Sequence, residues 1–283
     1  MQLGLVTYLL GKDWDVATLI ENCTNTGFQG VELRSTHAHG VESDLSNSAR
    51  SEIKKQFMDS PVELVGLGTA FEFHSPDKQI LQNNIAGAKQ YASLAHDVGA
   101  TGIKVRPNGI SPNVPIDRTL EQIGMALNEC AQFASGYGVA IRLEVHGRTT
   151  SQLSHIQTIM EIADHPEAVV CWNCNPTDLV DKGLESNFQK VSKKIGMVHT
   201  HDLFDPQYPY QQLFDLLVQN NYDGYCLAEC PASSDPVRVM HYYRALFAAL
   251  HPYDPLFITA PAICIRTGDN RINFNRLAIN RPN

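Results

Sequence analysis

The chain has 283 residues, 43% of them hydrophobic and 18% charged, which suits one large α/β domain or two smaller ones. Its 22 Lys and Arg against 30 Asp and Glu leave a formal charge of −8, which argues against nucleic acid or an anionic membrane as partner. No apolar run approaches the roughly 20 residues that span a bilayer. The start, Met1-Gln-Leu-Gly-Leu-Val-Thr-Tyr, lacks the basic region and cleavage site of a signal peptide. Seven scattered cysteines, an odd number, fit reduced thiols, so a cytoplasmic protein is expected.

In chain order, residues 2–8 read as a first strand. Asp13 is the expected N-cap of a helix that ends near Gly27. A second strand follows over 28–34, then the loop 35–42 and a polar helix over 46–58. A third strand, 62–68, leads into the loop Phe71-Glu-Phe-His-Ser-Pro76. The helix over 79–97 carries Ile80, Ile85, Ala88, Tyr91, Ala92 and Ala95 on one stripe. After Gly99 come a fourth strand at 102–106, a Pro/Gly/Asn loop over 107–115 and a helix over 117–136.

Four short runs rich in β-branched or aliphatic residues then end in Glu144, Asn173, His201 and Glu229, spaced 29, 28 and 28 residues apart. A strand–helix–strand unit takes about 30 residues, so these mark the carboxyl ends of four successive parallel strands. Helices over 152–164, 180–192, 209–220 and 236–250 separate and follow them. Eight strands, each followed by a helix, predict a single (β/α)8 TIM barrel over residues 1–251, with 252–283 as a C-terminal tail or arm. The carboxyl ends of such strands converge on one mouth, where active sites sit.

Side chains alternate along a strand, so Glu144 and His146 share a face, as do Asn173 and Asn175, and His199 and His201. Six of the eleven histidines (His37, His39, His74, His146, His199 and His201) fall on the strand ends or the loops after them. Two carboxylates, an imidazole and an amide at one mouth would make a divalent metal site. Cys171 and Cys174 fall on opposite faces of their strand, which speaks against a zinc or redox pair. Cys226 and Cys230 face the helices as core thiols.

Four motifs carry a resemblance: Gly27-Phe-Gln-Gly-Val-Glu-Leu33, Leu143-Glu-Val-His-Gly147, Val198-His-Thr-His-Asp202, and Tyr222-Asp-Gly-Tyr225 with Glu229. In this order and spacing, over about residues 1–250, the chain resembles the xylose isomerase-like barrels called sugar phosphate isomerases/epimerases. Hydroxypyruvate isomerase, ketose 3-epimerases and inosose dehydratase are members, and endonuclease IV is a distant branch. The resemblance implies a divalent metal (Mn, Mg, Co or Zn) on Glu144, Asn173, His201 and Glu229. Asn173 stands where the family has Asp; an amide carbonyl is an acceptable oxygen ligand but brings one charge fewer, so affinity should fall.

By the same resemblance Glu144 and Glu229 flank the substrate and exchange a proton beside its carbonyl. His146, Arg148, Lys104 and Arg106 are candidates to hold its hydroxyl, phosphate or carboxylate groups. Arg34, His37 and His39 would extend that wall, and His74, Asn175 and His199 are further pocket candidates. Thr150 and Gln207 stand where ketose 3-epimerases carry Glu and Arg, which argues against a free-ketohexose substrate. The expected activity is isomerisation or epimerisation of a small sugar or sugar phosphate, in a homodimer or homotetramer. An inosose-type dehydratase and a non-catalytic sugar-binding barrel use the same parts. An endonuclease IV-like nuclease is disfavoured by the charge and by Asn173.

Overall fold

In the computed structural model, which describes residues 1–251, eight parallel strands close on themselves in chain order. They are β1 (Gln2–Val6), β2 (Gly30–Arg34), β3 (Glu63–Glu72), β4 (Gly102–Arg106), β5 (Ala140–Glu144), β6 (Ala168–Trp172), β7 (Ile195–Thr200) and β8 (Tyr225–Ala228). The ring is sealed where Leu3 pairs with Cys226 and Leu5 with Ala228. The helices α1 (Val16–Thr26), α2 (Asn47–Met58), α3 (Lys78–Val98), α4 (Ile116–Ser135), α5 (Leu153–Ile162), α6 (Leu184–Gln189), α7 (Tyr210–Gln219) and α8 (Pro236–Leu250) follow them one by one. This is the (β/α)8 barrel that the spacing predicts. The expected tail, 252–283, lies outside the described residues. No helix among the described residues is long and apolar enough to cross a membrane.

Local chemistry sets the boundaries. The cap of α1 is Asp15 rather than Asp13, because its carboxylate accepts the Thr18 N–H at 2.8 Å. Gly27 ends that helix in the left-handed region, at φ 77°, which glycine reaches without a Cβ clash. Strand β3 runs on to Glu72, into the expected loop, because Glu72 still pairs with Arg106 of β4. The helix expected over 180–192 shrinks to α6. Pro176–Leu179 forms a 3-10 turn instead, held by a capping box between Asn175 and Asp178, and Asn187 Nδ2 donates to the carbonyls of Asp178 and Val180.

Alternation divides the strands between two environments. Leu3, Leu5, Val31, Leu33, Ile103 and Ile141 join the core beneath the helices. Val6, Val65, Cys171, Met197, Tyr225 and Leu227 pack separately, within the barrel. Inside the barrel the filling then turns polar: Glu32, Lys104, Arg142, Glu144 and His199 are all buried. Barrel interiors are ordinarily filled by branched apolar side chains. Burying five ionisable groups is costly unless they pair, so this layer marks where the fold gives up stability for something else.

Candidate active site

Each site residue reaches the mouth by its place on a strand. Glu144 is the last residue of β5, Asn173 follows β6, His201 follows β7 and Glu229 follows β8. They line a cavity of about 580 Å³ with Tyr8, Arg34, Lys104, Arg106, His146, Asn175 and Asp202. His199, one period-2 step deeper on β7, lies under its floor and is 1% exposed.

His199 is the centre of the charge cluster. Its Nδ1 is 3.6 Å from Glu144 Oε1 and 3.7 Å from Glu229 Oε2, and its Nε2 is 3.3 Å from Glu32 Oε1. Lys104 Nζ donates to Glu144 Oε2 at 2.8 Å, both groups being buried. Burial opposes the charged form of His199, but the Glu32 and Glu144 carboxylates beside it prevail and raise its pKa well above the usual imidazole range. Burial likewise works against the Glu144 carboxylate, yet the Lys104 ammonium and His199 hold it well below the usual range. Glu229 follows the same logic, its burial outweighed by hydrogen bonding to His201 and the charge of His199. Both glutamates are therefore ionised at neutral pH.

The expected metal set is only partly brought together at one depth. His201 stands at the rim, 3.5 Å from Glu229 Oε2 and 3.4 Å from Asn173 Oδ1. Among the His, Cys, Asp and Glu side chains of the described residues, Glu144, His199 and Glu229 bring ligand atoms within 4.8 Å of one another. Neither nitrogen of His199 nor either oxygen of Glu32 has a hydrogen-bond partner among the described residues. Such orphaned polar atoms in a buried site call for an explanation. An N,O,O donor set with carboxylates on two sides suits a divalent cation, so the residues present fit one.

The other candidates separate into wall and scaffold. Arg34 lies over the Tyr8 ring at 5.2 Å, and Arg106 pairs with Glu72 at 2.7 Å; both face the cavity. His146 Nδ1 lies 2.9 Å from Asn108 Oδ1, and Asn175 is turned to donate to the Val145 carbonyl. His37 bonds Thr7, and His74 lies 3.7 Å from Glu72. His39 spends both ring nitrogens on the backbone, at Arg34 O and Val41 N, and so braces the loop after β2. Arg148 is exposed. None of these last four is among the residues that line the cavity.

Sequence reasoning passed over Glu32 and Arg142. Their signal was available: each occupies an inward position of its strand, where a charged residue is out of place. Tyr8 and Asp202 also line the cavity without having been singled out.

The architecture has many counterparts among solved structures. L-ribulose 3-epimerase superposes with a TM-score of 0.77 at 14% identity, over 93% of this chain and 99% of that one. D-psicose 3-epimerase from Clostridium cellulolyticum H10, solved with D-tagatose, gives 0.74 at 15% identity, over 88% and 98%. The IOLI protein, solved with a zinc atom bound, gives 0.72 at 14% identity, over 89% and 98%. At such identities the likeness speaks to fold. No curated protein matches this sequence. The family described as the xylose isomerase-like TIM barrel matches residues 20–248, and this chain belongs to it.

Proposed function

We propose that this chain is a sugar isomerase or epimerase that moves a proton next to the carbonyl of a small polyhydroxy substrate. The observation that carries the reading is the pair of ionised carboxylates, Glu144 and Glu229, on either side of His199 at the floor of a polar cavity. Abstracting a carbon-bound proton needs a base held in its charged form, a positive environment for the oxygen that gains charge, and an acid to return the proton.

Glu229 suits the base. Its neighbours are imidazoles, and its side chain is 14% exposed toward the cavity, so it can reach a bound substrate. Glu144 is the more encumbered carboxylate, tied to Lys104. The Lys104 ammonium, kept charged against burial by Glu144 and Glu32, is available to the oxygen that becomes negative. Arg34, Arg106 and His146 on the wall would orient hydroxyl or anionic groups.

Glu144, His199 and Glu229 would hold a divalent cation, with Asn173 and His201 at the rim beside them. Such an ion, when bound, supplies Lewis-acid neutralisation of the substrate's carbonyl and hydroxyl oxygens. The structural likeness to epimerases and to a zinc-bound barrel supports this reading.

The test is solvent exchange. A panel of ketoses, aldoses and their phosphates is incubated in D2O with protein supplied in turn with Mn(II), Co(II), Zn(II) or Mg(II), and followed by proton NMR. Deuterium entering one carbon-bound position is expected for a true substrate. Glu229→Gln should slow it by about 10²–10⁴-fold, the usual worth of a general base. A panel member that binds the cavity yet never exchanges a proton would favour the sugar-binding reading instead.

A further inference from the structure

Glu32 is absent from the site as read from sequence, yet the barrel is shaped around it. It is 0% exposed, and neither carboxylate oxygen has a hydrogen-bond partner among the described residues. Its nearest cationic contact is His199, 3.3 Å from Oε1 to Nε2. Space for it comes from β3. Val31 pairs with Leu64, but Glu32 pairs with Gly66 and Arg34 with Gly68, so Val65 is an extra residue and the strand bulges there. A Cβ at Gly68 would come within 2.7 Å of Glu32 Oε1, and one at Gly66 within 3.5 Å of Oε2 and 2.7 Å of Arg142 Nη1. Two glycines and a bulge thus empty a slot that the carboxylate fills.

We propose that Glu32 is the positioning residue for His199: its carboxylate holds the Nε2 side of the ring, so that Nδ1 faces the gap between Glu144 and Glu229. The proposal rests on the reading of that gap as the reactive centre. An imidazole has two nitrogens, and the partner of one decides what the other offers. Histidines that ligate metals commonly donate their second N–H to a carboxylate, which fixes both the tautomer and the ring plane. Here His199 has carboxylates on both sides, and Glu32, on the Nε2 side, is not among the residues that line the cavity. Gly68 and Gly66 keep it there, and Arg142 and Lys104 share the compensation of its charge.

The experiment uses full-length protein with ¹⁵N-labelled histidine, stripped of metal by chelation, the His199 ring signals being identified by their loss in His199→Gln. Wild type should show a downfield, slowly exchanging Nε2–H. In Glu32→Gln, which keeps the shape and removes the charge, that proton should move upfield and exchange at least tenfold faster. Gly68→Ala, which crowds the slot without touching a charge, should shift it in the same direction. Mn(II) binding followed by EPR should weaken by about 10–100-fold in Glu32→Gln, the usual cost of losing such a partner.

A His199 signal unchanged in Glu32→Gln overturns the proposal, as does an unchanged Mn(II) affinity in a protein that binds Mn(II). Failure of wild type to take up Mn(II) or the other ions counts against the metal in the proposed function; the His199 proton, read without metal, then decides the role of Glu32 by itself.

Discussion

Lys104 and Glu144 are the two residues of the site whose energetics are easiest to isolate. They form an ion pair at 2.8 Å with side chains only 4% exposed. Desolvating both charges consumes much of what their attraction returns, so the pair is weak evidence of net stability, but removing one partner strands the other. Lys104→Met is therefore expected to lower unfolding stability by about 3–5 kcal/mol, and Lys104→Met with Glu144→Leu to recover most of that loss. Urea denaturation of the two variants checks this; a double variant no more stable than the single would mean that Glu144 is compensated elsewhere. Both residues were legible in the sequence as charged groups at strand ends. Glu32 showed only as a charge at an inward strand position, because nothing linear says that a bulge at Val65 turns two glycines toward it. The different depths of His199 and His201 were beyond reach for a related reason. The two share a face, and only the depth at which β7 enters the barrel puts the first among the carboxylates and the second at the rim.

At the scale of elements, most strands and helices were legible because each boundary has a local cause, such as Asp77 capping α3 and Gly99 ending it. The stretch after β6 was not, because its structure comes from a buried network. Tyr208 donates to Asp178 Oδ2 at 2.7 Å, Trp172 Nε1 donates to Tyr208, and the Asn175 N–H also points at Asp178. Burial pushes the Asp178 carboxyl up to about 7, against the pull of those donors. A folded pKa above the unfolded value of 3.8 means that the native state holds the proton more tightly. Ionising it between pH 4 and 7 then costs stability, on the order of 2–4 kcal/mol by pH 8. Asp178→Asn, which can still accept both hydrogen bonds, escapes that cost. Its stability relative to wild type should rise from pH 5 to pH 8, measured as the difference in urea midpoints, where the titration of other groups cancels. A difference that does not change with pH would show that Asp178 is already ionised at pH 5.

For the molecule as a whole, the buried cluster couples strands from across the ring. Glu32 on β2, Lys104 on β4, Glu144 on β5, His199 on β7 and Glu229 after β8 meet around one point. Three carboxylates there, Glu32, Glu144 and Glu229, face the Lys104 ammonium and the His199 ring, so a bound divalent ion would relieve repulsion as well as bridge β5, β7 and β8. An ion that binds only the folded state stabilises it by mass action, about 2.7 kcal/mol at one hundred times its Kd. In a chain of this size 1 kcal/mol is worth roughly 2–4 °C in Tm, so saturating Mn(II) or Zn(II) should raise the melting temperature of chelated protein by roughly 5–10 °C. Glu229→Gln and His199→Gln, each removing one of the three proposed ligands, should lose most of the rise, whereas Arg148→Ala, at an exposed position outside the cavity, should keep it. Calorimetry with and without chelator reads all four proteins. An equal rise in every variant would place the ion elsewhere on the surface. No rise in wild type would leave Lys104 and His199, among the described residues, as the cations beside the two glutamates, and the proton transfer would then have to run on the charges of the chain itself.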